Sequence, residues 1–245
     1  MRRLFPFLSP SGRDALPRPS QCAACHGWGS GRVCGDCIAR YASPVARCRR
    51  CATLVPPAVD TCGACLREPP PFDAALAAVD YAYPWDALVT HFKFHAALDL
   101  AAALAGLVVA AWQRGGAAHP GLLLPVPLAD ARLRERGYNQ AWELARRCAR
   151  SVAAPSDATL LLRLKDTPHQ VALAPGRRAA NVRGVFAVEP LRSAELRGRS
   201  VTLVDDVMTT GATLAEAARV LRQAGAASVQ VWVVARTPAP AADTD

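Results

Sequence analysis

The chain has 245 residues, enough for one sizeable hydrophobic core and a small second module, because single cores stop growing at roughly 250 residues. Its formal net charge of +9 comes almost entirely from arginine, since Lys93 and Lys165 are the two lysines, and only 6% of the residues are aromatic. This composition gives weak support to nucleic-acid binding. The longest apolar run, 100–112, is shorter than the roughly 20 residues that span a bilayer, so we expect no membrane span.

The two ends of the chain are expected to carry no chemistry. Residues 1–19 mix Arg, Pro and Ser without periodicity and are predicted to be a flexible N-terminus, and residues 238–245 a disordered tail. The apolar stretch 4–8 is short, contains Pro6 and precedes no small-residue cleavage site. We therefore expect no signal peptide and a cytoplasmic protein.

Eight of the nine cysteines lie close together near the N-terminus, in four pairs with two residues between the partners. The pairs are Cys22 with Cys25, Cys34 with Cys37, Cys48 with Cys51, and Cys62 with Cys65. Two cysteines at this spacing can direct both sulfurs at one tetrahedral Zn²⁺, whereas the alternative, a disulfide framework, suits small secreted domains. The pattern predicts a double zinc ribbon over 20–68 with two structural Zn²⁺ sites.

Which pairs share a metal is a separate question. Sequential pairing, with the first two pairs on one ion and the last two on the other, closes shorter loops than interleaved pairing and is therefore the prediction. Four thiolates leave no open position on such an ion, so catalysis is expected elsewhere. Eight bound thiolates and two zinc ions also lower the net charge to about +5, which weakens the case for nucleic-acid binding further.

A second domain is predicted over 71–237, after the stiff Pro69-Pro70-Pro71 joint. Strand-like segments alternate there with helical ones, which favours an α/β fold with a mostly parallel sheet and helices on both faces. The predicted strands are 75–83, 122–126, 159–164, 184–188, 201–205 and 229–235, and the predicted helices are 85–94, 98–113, 139–153 and 214–224. The long polar stretch 165–184 is predicted to be a mobile functional loop.

The segment 201–213 (VTLVDDVMTTGAT) is the strongest candidate for a binding site. Asp205 and Asp206, at the end of a predicted strand, could accept hydrogen bonds from two neighbouring hydroxyls of a ribose. The residues that follow offer main-chain N–H groups and hydroxyls to a phosphate at a helix N-terminus: Thr209, Thr210, Gly211, Ala212 and Thr213. The alternative is that the acids merely end a strand. In either case, Thr213 and Glu216 are expected to form a capping box.

The same segment resembles the ribose-phosphate signature of type I phosphoribosyltransferases over its whole length. Residues 22–236 more widely resemble the ComF family of competence-associated phosphoribosyltransferase-like proteins, which join a double zinc ribbon to this fold. The matching motifs are PPPFD (69–73), FKF (92–94), PVPL (125–128), RLRERGYNQA (132–141), DTPHQ (166–170) and NVRGVF (181–186).

The resemblance implies that Asp205 and Asp206 bind the ribose hydroxyls of 5-phosphoribosyl 1-pyrophosphate, and that residues 209–213 hold its 5-phosphate. It also implies that the loop after the strand 122–126 faces the pyrophosphate. The candidates to bind pyrophosphate with Mg²⁺ are Arg132, Arg134 and Arg136, with a solvated basic turn as the alternative.

The predicted catalytic residues are Asp205, Asp206, Arg136 and Lys165. Lys165 is included because a lysine kept among so many arginines, at the mouth of a mobile loop, could act on the leaving group; the alternative is a solvated strand end. No general base is obvious, although His91, His95 and His169 are candidates.

The predicted function is binding of 5-phosphoribosyl 1-pyrophosphate and transfer of its phosphoribosyl group to an acceptor, and the ComF resemblance implies a role in DNA uptake during natural transformation. The alternative is a non-catalytic adaptor that handles nucleic acid and uses the site to sense a ligand or hold a DNA end. Single-stranded DNA or DNA-processing proteins would then be partners, and Trp28 and Tyr41 the candidates to stack on bases.

Overall fold

The computed structural model describes residues 19–115, 119–164 and 184–238. The strands in these ranges are β1 (Pro19–Gln21), β2 (Trp28–Ser30), β3 (Ala74–Asp80), β4 (Leu122–Pro125), β5 (Leu161–Arg163), β6 (Phe186–Val188), β7 (Ser200–Met208) and β8 (Ser228–Arg236). The α-helices are α1 (Gly35–Tyr41), α2 (Gly63–Arg67), α3 (Trp85–Phe94), α4 (Ala101–Arg114), α5 (Asp130–Arg136), α6 (Gln140–Ser151) and α7 (Ala212–Gln223). Short 3₁₀ helices cover Leu98–Leu100 and Pro190–Leu196.

The core of the second domain is a four-stranded parallel sheet in the order β3-β8-β7-β4. Its strands are nearly continuous runs of Val, Leu and Ala because both faces are covered, as is usual for parallel sheets. Val204, Trp232 and Val234 belong to the buried cluster formed with α3, α4 and α6. Their neighbours Leu203 and Val233 belong to the cluster formed with α7 on the opposite face. The predicted α/β class, with helices on both faces, is confirmed.

The strands β5 and β6 do not join this sheet. They pair antiparallel with each other, with Leu161 opposite Val188. Glu216 on α7 connects this hairpin to the main domain, because its Oε1 accepts a hydrogen bond of 2.7 Å from the N–H of Gly184.

The expected capping box between Thr213 and Glu216 is therefore wrong. Glu216 also accepts hydrogen bonds from Arg219, one turn further along α7, at 2.7 and 2.9 Å. The helix starts two residues earlier than predicted, at Ala212, and its N-cap is Gly211 in a left-handed conformation, with no side-chain cap. Thr213 thus lies inside the first turn.

The cysteine-rich part packs directly on the α/β domain. Cys22 and Cys37 lie in the buried cluster that contains Trp85 of α3, whose Nε1 donates a 2.7 Å hydrogen bond to the carbonyl of Tyr41. Ala52 is fully buried in the cluster on the opposite side of the sheet. The two halves of the cysteine-rich part therefore contact different halves of the core.

Two predicted boundaries differ from the structure in ways that affect the site. The strand predicted to end at Asp205 continues to Met208, because β8 pairs with it up to the Met208–Arg236 pair. The stretch after β4, predicted to be a loop, contains the seven-residue helix α5. The predicted mobile loop 165–184 lies outside the described residues except for Gly184.

Candidate functional site

The two acids of the 201–213 segment lie where β7 loses one of its neighbours. The pairing between β4 and β7 ends at Pro125 and Val204, and the last hydrogen bond on that side runs from the N–H of Val126 to the carbonyl of Val204 at 2.9 Å. Beyond this point the chain turns away from the sheet towards α5. Asp205 and Asp206, hereafter the acid pair, therefore lie at a crevice at the carboxyl end of a parallel strand, the usual ligand position in open α/β sheets.

Asp206 forms an ion pair with Lys93, the second-last residue of α3. The Lys93 Nζ lies 3.0 Å from Asp206 Oδ2 and donates a 3.3 Å hydrogen bond to Oδ1. The Asp206 side chain is only 2% exposed, whereas that of Lys93 is 30% exposed. Asp206 Oδ1 also accepts a hydrogen bond of 2.8 Å from the N–H of Val207. Its Oδ2 is buried and accepts no hydrogen bond of normal geometry, and Lys93 is the cation that faces it.

The two carboxyl groups have different electrostatic surroundings. Burial, and then the charge of Asp206, raise the pKa of Asp205 to about 8, although Lys93 partly counteracts this. The Asp206 charge also raises the pKa of Lys93, despite the burial of its ammonium group. Lys93 therefore stays charged at neutral pH, and the acid pair holds a proton more readily than two solvent-exposed carboxylates would.

Arg136, the last residue of α5, lies near the acid pair. Its guanidinium carbon is 5.1 Å from the centre of the Phe94 ring, and its Nη1 donates a hydrogen bond to Gln140. Burial lowers the pKa of Arg136, and the charge of Asp206 opposes that effect, which places the two groups within electrostatic reach. Lys93 Nζ is 5.8 Å from the same Phe94 ring. Phe94 thus lies close to two cations, and both interact electrostatically with Asp206.

The 209–213 segment connects β7 to α7. Thr209 and Thr210 are exposed, and Gly211 has a φ of 81°, the left-handed region that glycine adopts without strain. The Thr210 hydroxyl accepts a 3.3 Å hydrogen bond from the N–H of Ala212. The segment thus exposes two hydroxyl side chains next to the N-terminus of a twelve-residue helix, the end that favours anions.

The eight N-terminal cysteines form two groups. The first quartet is Cys22, Cys25, Cys34 and Cys37, the second quartet is Cys48, Cys51, Cys62 and Cys65, and within each all sulfurs lie within 4.8 Å of one another. These are the groups that sequential pairing predicts. No disulfide forms, since every cysteine is a free thiol.

The geometry of the quartets fits zinc. A tetrahedral site with Zn–S bonds of about 2.3 Å has sulfur-to-sulfur edges of about 3.8 Å. The Cys22–Cys37, Cys25–Cys34 and Cys51–Cys62 sulfurs are 3.8, 3.8 and 3.7 Å apart.

The thiol pKa values support the same conclusion. Burial raises the pKa of Cys37 and of Cys65. Burial also opposes ionisation of Cys22, but main-chain N–H donors outweigh it and lower its pKa to about 6. Four thiolates so close together need a bound cation to ionise together, and each quartet could hold one zinc ion.

A family model described as the phosphoribosyl transferase domain matches residues 122–245. The DNA utilization protein YhgH of Salmonella typhimurium is 34% identical over 214 residues, which cover 86% of this chain and 91% of that protein. Competence protein F of Haemophilus influenzae is 33% identical over 193 residues, which cover 77% of this chain and 84% of that protein. The chain belongs to the ComF family. Competence protein ComFC of Bacillus subtilis is 33% identical over a shorter part, 117 residues, which cover 47% of this chain and 45% of that protein.

Family membership agrees with the sequence-based recognition. The parallel sheet and the two cysteine quartets are the architecture that the ComF resemblance implied. Within the described part of the chain, none of the helices has both the length and the hydrophobicity that a membrane crossing requires.

The predicted site residues of this ComF-family chain are not all brought together. Arg132 and Arg136 lie one helical turn apart, on the same side of α5, whereas Arg134 points away from that side and is exposed. Lys165 and His169 lie outside the described residues. His91 and His95 are exposed on or just after α3, with ring centres 5.0 Å apart.

Lys93 is the site residue that the sequence reasoning missed. The rarity of lysine drew attention to Lys165, yet the same signal applied to Lys93, in the FKF motif of the family resemblance. Lys93 and Asp206 are 113 positions apart, so their contact cannot be read from local spacing.

Proposed function

We propose that this chain binds 5-phosphoribosyl 1-pyrophosphate and transfers its phosphoribosyl group to an acceptor. The observation that carries the proposal is the acid pair at the carboxyl end of β7, flanked by Lys93 and followed directly by the 209–213 segment. The phosphoribosyl transferase domain match over 122–245 includes both the acid pair and this segment.

Each part of the ligand has a counterpart in the crevice. The acid pair, with Lys93 in ion-pair contact with Asp206, would accept hydrogen bonds from the two ribose hydroxyls. The exposed hydroxyls of Thr209 and Thr210 and the N-terminus of α7 suit the 5-phosphate. Arg136, at the end of α5 beside Phe94, suits the pyrophosphate, and Arg132 on the same side of α5 is the second candidate.

In the proposed reaction, a lone pair of the acceptor forms a bond to C1 of the ribose. The C1–O bond to pyrophosphate breaks at the same time, and the pyrophosphate leaves with the electron pair. Arg136 would stabilise the negative charge that develops on the leaving oxygen. Bound Mg²⁺ would neutralise further charge on the pyrophosphate. The acid pair would orient the ribose, and no covalent enzyme intermediate is needed.

The biological setting that we propose is the handling of internalised DNA in natural transformation. Two kinds of relative support it by their names, a DNA utilization protein and two competence proteins. We propose that both cysteine quartets hold structural zinc, since the distances between their sulfurs match a tetrahedral ion.

A non-catalytic nucleic-acid adaptor remains the second candidate, and the exposure of Trp28 favours it. Trp28, on β2, is 78% exposed, so its ring is free to stack on a base. Tyr41 is less suitable, because its ring packs edge-on against Tyr83 with centres 5.6 Å apart. If this function is correct, Trp28→Ala should weaken binding of a single-stranded oligonucleotide.

Calorimetric titration of the zinc-loaded protein tests the main proposal. With Mg²⁺ present, 5-phosphoribosyl 1-pyrophosphate should bind more tightly than ribose 5-phosphate, because only the former reaches Arg136. Pyrophosphate release should then depend on adding an acceptor from a panel of bases, amines and oligonucleotides. Binding without release for any acceptor would favour the adaptor, and no binding of either sugar phosphate would reject the proposal.

A further inference from the structure

Arg236, the last residue of β8, is a buried arginine whose observed hydrogen bonds in the described part of the chain all go to main-chain carbonyls. It is 9% exposed. Its Nε donates to the carbonyl of Cys51 at 3.0 Å. Its Nη1 faces the carbonyls of Met208 at 3.1 Å, of Thr237 at 2.7 Å, and of Thr209. The planar guanidinium therefore fixes three separate stretches of backbone relative to one another.

Two of these stretches belong to sites with different chemistry. Cys51 is a member of the second cysteine quartet. Met208 ends β7, and Thr209 begins the segment that leads into α7. One side chain thus connects the backbone of a predicted zinc knuckle to the backbone of the predicted phosphate-binding segment.

We propose that Arg236 is a positioning residue through which metal binding at the second quartet orders the 209–213 segment. The part of this inference that concerns ligand affinity rests on the proposed function. A bound ion would hold the backbone around Cys51 in one conformation and keep its carbonyl aimed at Arg236 Nε. The other side of the guanidinium then holds the carbonyls of Met208 and Thr209, which fixes the start of the segment.

The packing explains why only one quartet has this effect. Ala52, next to Cys51, is fully buried in the cluster that contains Met208 and Leu214, on the α7 side of the sheet. The carbonyl of Arg49, in the same knuckle, accepts a 2.9 Å hydrogen bond from the N–H of Ala75 on β3.

The first quartet lies elsewhere. Its buried members Cys22 and Cys37 belong to the cluster that contains Trp85, on the opposite side of the sheet. Arg32, between its two cysteine pairs, forms an ion pair of 2.6 Å with Asp99, just before α4. The first quartet is therefore an internal control for the second.

Cys34 and Cys62 provide a matched pair of variants. Cys34 precedes α1 and donates its N–H to Cys22 Sγ at 3.3 Å, and Cys62 precedes α2 and donates its N–H to Cys48 Sγ at the same distance. Cys34→Ser and Cys62→Ser should each lose one zinc ion. Amide hydrogen exchange in 208–213 should accelerate in Cys62→Ser alone, and affinity for ribose 5-phosphate should drop there by roughly tenfold, against less than about twofold in Cys34→Ser.

Arg236→Lys tests the same link in a chain that keeps both quartets intact, so it remains informative if Cys62→Ser does not fold. Arg236→Lys should retain two zinc ions per chain, and its amide hydrogens in 208–213 should still exchange faster than those of the wild type. The inference would be overturned, whether or not a ligand binds, if the two cysteine variants had equal rates of amide exchange in 208–213. It would also be overturned if Arg236→Lys exchanged there at the wild-type rate. Absence of binding of both ribose 5-phosphate and 5-phosphoribosyl 1-pyrophosphate by the wild type would instead count against the proposed function alone.

Discussion

Replacing Lys93 with methionine removes the ammonium group that forms an ion pair with Asp206 while keeping a side chain of similar length. The Nζ to Oδ2 distance of 3.0 Å corresponds to an attraction of about 5.5 kcal/mol at an effective dielectric constant of about 20. Loss of one partner from a fully buried pair costs about 3–5 kcal/mol, because the other charge is left uncompensated. Lys93 is 30% exposed, so water compensates in part, and we expect a loss of about 2–3 kcal/mol.

Thermal unfolding of the zinc-loaded protein measures this loss. For a chain of this size, about 2–3 kcal/mol corresponds to a fall in Tm of about 5–10 °C. Lys93→Arg is the matched control. It keeps the positive charge, so its Tm should fall much less than that of Lys93→Met.

The loss in Lys93→Met should also depend on pH. Lys93 holds down the pKa of Asp205, so without it the acid pair takes up a proton more readily. The penalty should therefore shrink between about pH 8 and about pH 5. A methionine variant as stable as the arginine variant near pH 8 would refute this reasoning about the ion pair.

Three further predictions concern other parts of the molecule. Because the pKa of Asp205 is raised to about 8 in the folded state, the wild type loses stability as pH rises from about 4 to about 8. Asp205→Asn should therefore be more stable than the wild type near pH 8 and lose that advantage near pH 5, and urea unfolding at the two pH values measures the difference. Elemental analysis should return two zinc ions per chain, and a chelator should lower Tm; disulfides and no metal would contradict both quartet assignments. Lys165→Ala should weaken binding of 5-phosphoribosyl 1-pyrophosphate but not of ribose 5-phosphate in calorimetry, and equal losses for both ligands would reject the predicted contact with pyrophosphate.

The regular part of the fold was predictable because it follows hydrophobic periodicity. The helix predicted over 85–94 has the bounds of α3, and the strand predicted over 122–126 exceeds β4 by one residue. The cysteine quartets were predictable from spacing and loop length alone. Helix α5 was missed because it has seven residues, none of them buried, and so leaves no apolar pattern.

The candidate site was predictable only where it follows one continuous segment. Asp205, Asp206 and the 209–213 segment adjoin in the chain, so their chemistry could be recognised together. The residues that complete the site come from distant positions. Lys93 reaches Asp206 across 113 positions, and Arg236 reaches Cys51 across 185. Main-chain carbonyls accept the hydrogen bonds of Arg236, and no side-chain pattern in the sequence marks such acceptors.

The central claim is that the acid pair binds the ribose hydroxyls of a phosphoribosyl ligand. The most direct test is calorimetric titration of the double variant Asp205→Asn with Asp206→Asn, using 5-phosphoribosyl 1-pyrophosphate and Mg²⁺ on zinc-loaded protein. Because the raised pKa of Asp205 leaves the acid pair with about one negative charge at neutral pH, the double variant removes one charged acceptor. A charged hydrogen bond contributes about 1.5–3 kcal/mol, so the double variant should bind more weakly by about that amount while still folding. Asp86→Asn on α3, which removes a carboxylate outside the crevice, should bind like the wild type. Wild-type affinity in the double variant would contradict the account and place the ligand elsewhere.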